Sequence, residues 1–186
     1  MKLPVYLYGH PVLREETVEV TSNYPELRKL IDDMFETMYD SAGVGLAAPQ
    51  IGKSLRMFVV DGSCLAEEFP ECADSRMAVI NPELEVIEDV DIVSREEGCL
   101  SVPGLSESVK RHEHIRLRWV DEDFKEHEQE FKGFMSRIIQ HEYDHLEGVV
   151  YVDRVSPIRR QLMKSKLSNI AKGRVKCSYR VKAAKK

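Results

Sequence analysis

Two imidazoles four residues apart with a carboxylate between them, His141-Glu142-Tyr143-Asp144-His145, offer the clearest chemistry in this chain. On an α-helix such residues lie on one face, one turn above the other, so both rings can close on a single ion. Glu142, one position round from the first ring, then flanks that ion and any water beside it, the arrangement of a metal-assisted hydrolase. The same five residues also fit a polar patch on a solvated helix. What favours the metal is the stripe Phe134, Ile138, His141 and His145, at spacings of four, three and four, which places both histidines on the face due for burial. Buried imidazoles need partners, and one metal ion serves both rings.

A catalytic site of this type takes three protein ligands and keeps one position for water. Downstream, the residues from His141 follow the long metzincin pattern as far as Gly148, but Tyr151 stands where its third histidine belongs. Glu147 and Asp153 lie too close to the end of the helix. The third ligand therefore comes from upstream, where His10, His112, His114, His127 and the cysteines are available. His112 and His114, at the start of a strand among charged neighbours, suit a surface. Cys99 stands first, because in Glu96-Glu97-Gly98-Cys99-Leu100-Ser101 the glycine lets the backbone bring the sulfur close to another element.

The elements that must position these groups are legible in part. Leu27, Leu30, Ile31, Met34, Phe35 and Met38 recur at three and four, which predicts an amphipathic helix packed on a sheet, with Pro25 in its first turn. Residues 1–22 suggest an extended arm with turns, and Ser41 to Gln50 a loop of small residues. Strands are expected at Leu55–Asp61, at Met77–Ile80, in part of Glu83–Val93, at Ile115–Val120 and, after a turn at 121–123, at Phe124–Phe131. Residues 62–76 read as an exposed excursion. The histidine helix lies between Gly133 and Gly148, and a last helix runs from about Pro157 to Ala171 before a tail frayed at its end. The class is α+β, antiparallel strands packed around a central metal-binding helix with N-terminal and C-terminal helices, in a single domain over 1–186.

Composition agrees with a soluble globular protein: 186 residues, 42% hydrophobic and 32% charged. The N-terminus lacks the apolar stretch of a signal peptide and no segment reaches membrane-spanning length, so a cytoplasmic location is expected. There the four cysteines remain thiols. Charge is uneven: residues 154–186 hold 12 Lys and Arg and no acid, so with −5 overall the first 153 residues carry −17. Such a basic tail can meet RNA or an acidic surface, or simply present a solvated helix face.

With these residues assembled, the chain resembles peptide deformylase over roughly residues 5–165. Gly43-Val44-Gly45-Leu46-Ala47-Ala48-Pro49-Gln50 is similar to that family's first motif, Glu97-Gly98-Cys99-Leu100-Ser101 to its second and His141-Glu142-Tyr143-Asp144-His145 to its third. The resemblance implies removal of the formyl group from N-terminal formylmethionine of new bacterial polypeptides, with Cys99, His141 and His145 as ligands of one divalent ion. It implies Fe2+ natively, although one thiolate and two imidazoles also suit Zn2+, Ni2+ or Co2+. It makes Glu142 the proton carrier, Gln50 and the Leu100 N–H donors to the oxyanion, and Gly45 part of a loop whose small residues admit a formyl hydrogen and exclude a methyl. The methionine pocket is expected at Val44, Phe134, Ile138 and the edge of His141, with Glu97 and Arg95 near its mouth.

Two positions depart from the family pattern. Ser106 stands where some relatives carry a peptide-holding arginine, and Arg137 brings a charge beside Ile138 that would alter the pocket rim. The expected partners are formylmethionyl peptides and, through the basic tail, the ribosome, with neither membrane nor DNA. Rival readings are a zinc peptidase using the same helix and a structural metal module without hydrolysis.

Overall fold

The computed structural model describes residues 1–87 and 91–184. Its strands are β1 (Val5–Tyr6), β2 (Gly45–Ala47), β3 (Met57–Val60), β4 (Met77–Val86), β5 (Ile92–Gly98), β6 (Ser106–His112), β7 (His114–Val120), β8 (Glu126–Lys132) and β9 (Val181–Lys182). Its α-helices are α1 (Leu27–Asp40), α2 (Gly133–Leu146) and α3 (Pro157–Ala171).

An antiparallel sheet in the order β2-β3-β4-β7-β8 separates α1 from α2. Strand alternation divides its side chains between the two faces. Met57, Val59, Ala78 and Ile80 pack with the α1 stripe, while Phe58, Val60, Val79, Ile115 and Leu117 pack with Met135, Ile138 and Ile139 of α2. The class is α+β, with antiparallel strands around the histidine helix, as the periodicities imply. Helix α1 starts at Leu27 after Glu26, whose backbone is left-handed (φ 54°), so Pro25 precedes the helix instead of occupying its first turn.

Three further expectations need correction. The two strands expected on either side of Pro82 form one strand, β4, because a bulge between Ile80 and Glu83 accommodates the missing N–H. At that bulge Asn81 adopts φ 50°, accepts from the Val20 N–H (2.9 Å) and donates to the Val20 carbonyl (2.9 Å), tying the N-terminal arm to the sheet. Of the alternation expected over Glu83–Val93, residues 88–90 lie outside the described residues. The last strand begins at Glu126, since Phe124 has φ 58° and belongs to the turn.

The excursion at 62–76 is only partly exposed. Cys72 is fully buried, the Phe69 ring stacks on Phe134 at 4.3 Å, and Glu71 Oε1 accepts the Phe134 N–H (2.8 Å), capping α2. Glycine suits position 133, whose backbone is left-handed (φ 57°) and where a Cβ would press on that same oxygen at 2.2 Å.

The hairpin β5–β6 was not expected from the sequence at all. Its side chains are mostly polar, and the residues it turns inward include Glu97 and Arg111, which bury as an ion pair. Hydrophobic periodicity cannot register a strand whose buried face is ionic. Before its end the tail is tied to the body: β9 pairs in parallel with β1, Val5 opposite Val181, and Val175, Val181 and Ala183 pack against a cluster containing Leu7, Val102, Tyr151, Met163, Leu167 and Ile170. The terminal pair 185–186 lies outside the described residues. No helix among the described residues is long and apolar enough to cross a membrane.

Candidate active site

Helix α2 presents His141 and His145 one turn apart, and β5 ends one residue before Cys99, which delivers the sulfur to the same place. One donor atom from each of these three residues lies within 4.8 Å of the others, and Cys99 Sγ is 3.4 Å from His145 Nε2. Of the other candidates for the third position, His10 caps the turn Pro11–Arg14, His114 pairs with Glu130 and His127 with Asp121. His112 ends β6 and is absent from the cluster.

Behind the rings lies a buried ionic chain. His141 Nδ1 is 2.9 Å from Glu97 Oε2, and Arg111 grips both Glu97 oxygens (2.9 Å each). Burial alone would raise the Glu97 carboxyl, but hydrogen bonds from Arg111 and His141 hold it well below the usual carboxylate range. An ionised Glu97 requires the hydrogen on Nδ1, which leaves the His141 Nε2 lone pair for a metal. Arg111 continues to Asp144 (2.6 Å), which also receives Arg154.

Glu97 was expected at the mouth of the cleft, yet it is 7% exposed with both oxygens engaged, so its place is behind His141. Arg137, expected to alter the rim, is 2% exposed. It binds Glu97 (2.7 Å) and the carbonyls of Val109 (2.9 Å) and Val93 (2.6 Å), bolting both strands of the β5–β6 hairpin to α2. Arg95 lies over the Phe69 ring and does not line the cleft.

Glu142 is 4% exposed, and its Oε2 has no hydrogen-bond partner. Burial pushes its carboxyl up to about 7. Gly45 makes room for it: a Cβ there would sit 2.3 Å from Glu142 Oε1. Burial likewise drives His145 well below the ordinary imidazole value, keeping it neutral, as a ligand must be. Gln50, in the turn Ala48–Ile51, accepts the Ala47 N–H (2.8 Å) and turns its Nε2 toward Cys99 Sγ (3.4 Å) and Ser101 Oγ (3.2 Å).

These groups open onto a cleft of about 640 Å³, lined among others by Val44, Gly45, Gln50, Leu100, Phe134, Ile138, His141 and Glu142. The Gly98 backbone does not need its glycine for close approach, since a Cβ would meet only the Leu105 carbonyl at 3.7 Å. No local sequence pattern marks Arg111, Asp144 or the tail residues around Tyr179 as part of the site. Asp144 sits inside the histidine motif, which was the one available signal. Tyr151, noted only as an absent ligand, stacks beside His141 with ring centroids 6.2 Å apart and donates to the Leu105 carbonyl (3.0 Å).

Three donors of one thiol and two imidazoles, a buried carboxyl oxygen without a partner, and an ionised residue orienting one ring all fit a divalent ion. The chain is similar to known proteins along nearly its whole length. A family profile described as polypeptide deformylase matches residues 2–161. Peptide deformylases of Salinibacter ruber and Cytophaga hutchinsonii are each 46% identical to the chain, covering 96% and 98% of it and 93% and 97% of the relatives. The crystal structure of peptide deformylase from Thermus thermophilus superposes with a TM-score of 0.80 at 38% identity, covering 93% of this chain and 99% of that one. That from Ehrlichia chaffeensis gives 0.82 at 31%, covering 94% and 97%. A cysteine-and-two-histidine site on this framework, matched along nearly the whole chain, is why the protein belongs to the peptide deformylase family, metal-dependent hydrolases that deformylate newly made polypeptides.

Proposed function

We propose that this chain is a metallohydrolase that removes the N-formyl group from N-terminal formylmethionine of newly made polypeptides, releasing formate. The observation carrying this reading is the unpartnered Glu142 oxygen beside the cluster of Cys99, His141 and His145 in one cleft. Those three residues hold the ion, Fe2+ natively, with Zn2+, Ni2+ or Co2+ able to replace it. When bound, the ion supplies Lewis acidity that brings a water's proton within reach of a carboxylate near neutral pH.

Glu142 takes a proton from the attacking water and returns it to the amine as the formyl carbon–nitrogen bond breaks. The Gln50 side-chain amide and the Leu100 N–H donate to the oxygen that gains negative charge. Gly45 leaves no side chain against Glu142, and the same narrow approach admits a formyl hydrogen while excluding an acetyl methyl. Val44, Phe134 and Ile138 receive the methionine side chain, with Glu97 supporting that wall through His141. Residues 1–186 act as one catalytic domain in the cytoplasm, where formylated chains emerge.

The test is formate release from a formyl-Met peptide, with an acetyl-Met peptide alongside and metal quantified in the same sample. Release from the formyl substrate alone is expected, and Glu142→Gln is expected to retain metal while turnover falls by roughly 10²–10⁴. Protein holding one metal per chain yet releasing no formate would refute the reading.

The basic α3 face is also proposed to meet ribosomal RNA. Met163, Leu167 and Ile170 anchor that helix in the core, so the test is charge reversal at exposed Lys164 and Lys166 rather than truncation. Loss of salt-sensitive cosedimentation with ribosomes is expected. Unchanged binding would remove the idea.

A further inference from the structure

One wall of the cleft comes from outside the three motifs. Lys176, Cys177, Ser178 and Tyr179 line it, although they lie in the basic tail beyond residue 161, where the family profile ends. Several contacts hold the segment there. The Tyr179 O–H donates to the Leu100 carbonyl (2.7 Å), the residue that follows the Cys99 ligand. The Cys177 thiol donates to the Tyr179 carbonyl (3.4 Å). Immediately afterwards the Val5 N–H donates to the Arg180 carbonyl (2.8 Å) and the Leu7 N–H to the Lys182 carbonyl (2.9 Å), clamping the tail to β1.

On the cleft wall Glu97 and Arg137 bind each other and Glu142 is buried beside Gly45, while exposed Glu96 accepts only the Ser106 hydroxyl (2.5 Å) and keeps its charge. Of the Lys and Arg side chains on that wall, Arg137 is buried and paired, whereas Lys176 is exposed and forms no salt bridge among the described residues. A cation on the rim of a cleft that takes an extended peptide is placed to meet a carboxylate on that peptide.

We infer that the tail is the outer wall of the peptide-binding cleft, with Lys176 binding an acidic side chain downstream of the formylmethionine and Tyr179 positioning the segment through Leu100. This inference rests on the deformylase reading and adds to it a preference among nascent chains. Because Lys176 is solvent-exposed, the attraction is modest, a few-fold in kcat/KM for one pair.

The experiment uses the full chain and two C-terminally amidated substrates, formyl-Met-Ala-Asp amide and formyl-Met-Ala-Lys amide. Amidation removes the terminal carboxylate, so only the side chain differs, and a third substrate, the Ala-Ala acid, reports whether a terminal carboxylate serves equally. Wild type is expected to favour the Asp peptide, and Lys176→Glu to change the Asp-to-Lys ratio of kcat/KM by about tenfold, since attraction becomes repulsion for one peptide and the reverse for the other. Tyr179→Phe keeps the ring, loses the hydrogen bond and is expected to draw the ratio toward one, mainly through KM. Arg174→Glu makes the same charge change elsewhere in the tail, off the cleft, and is expected to keep the wild-type ratio.

An unchanged ratio in Lys176→Glu, or an equal change in Arg174→Glu, overturns the inference while leaving deformylation intact. Failure of the wild type to release formate from any of the peptides overturns the underlying reading, and the inference with it.

Discussion

Replacing Gly45 by alanine isolates the contact on which proton transfer depends. A Cβ at this position would lie 2.3 Å from Glu142 Oε1, 2.6 Å from its Cδ and 2.7 Å from its Cγ. Ordinary contact begins near 3.4 Å, so the carboxylate must retreat by about 1 Å, and Glu142 is 4% exposed with little space to retreat into. Displacement of a catalytic group by about 1 Å costs roughly 10²-fold in rate. The overpacking itself destabilises by about 1–3 kcal/mol, partly offset by about 0.4–1 kcal/mol from the stiffer unfolded chain. The expected Gly45→Ala enzyme therefore folds, holds its full metal complement and loses kcat by about two orders of magnitude. Gly98→Ala, whose Cβ meets only ordinary contact, is expected to lose no more than a few-fold. Formate-release kinetics, metal content and thermal unfolding on the same preparations make the comparison. Wild-type kcat in a fully metallated Gly45→Ala protein would refute the argument that this loop sets the position of Glu142.

Other outcomes follow from the groups around the site. Glu97→Gln keeps the shape beside His141 but removes the charge that orients its ring, and metal affinity is expected to fall about 10–100-fold in a chelator competition. Affinity equal to wild type would show that Arg111 and the protein frame orient the ring without it. Burial pushes the Cys72 thiol up to about 11, while Cys64 is exposed. Alkylation near neutral pH is therefore expected to label Cys64 in the native chain and to reach Cys72 only on unfolding. Mass spectrometry that found Cys72 labelled at the rate of Cys64 would contradict the packing of the 62–76 segment.

How much of this was visible beforehand depended on where each interaction lies along the chain. Helix α1 and strand β7 announce themselves because their buried faces are apolar and their periods are local. His141, Glu142 and His145 belong to one helical turn and its successor, so their spacing alone places them together. Cys99 could be ranked first but not located, because its distance from His145 is set by a hairpin that hydrophobic period does not reveal. The three family motifs carried the assignment of Gln50 and Gly45, which as bare residues had read as a connecting loop.

Sequence by itself determined the class of the fold, the histidine helix and the chemistry its ligand types permit. Tertiary structure alone decided that Glu97 orients His141 instead of facing substrate, that Arg137 is a buried bolt, that residues 62–76 cap α2 and that the basic tail walls the cleft. The physical reason is common to all four. Each depends on pairing between residues far apart in the chain, buried ion pairs for Glu97 and Arg137 and hydrogen bonds for the α2 cap and the tail, and no local pattern of polarity records which partner that will be.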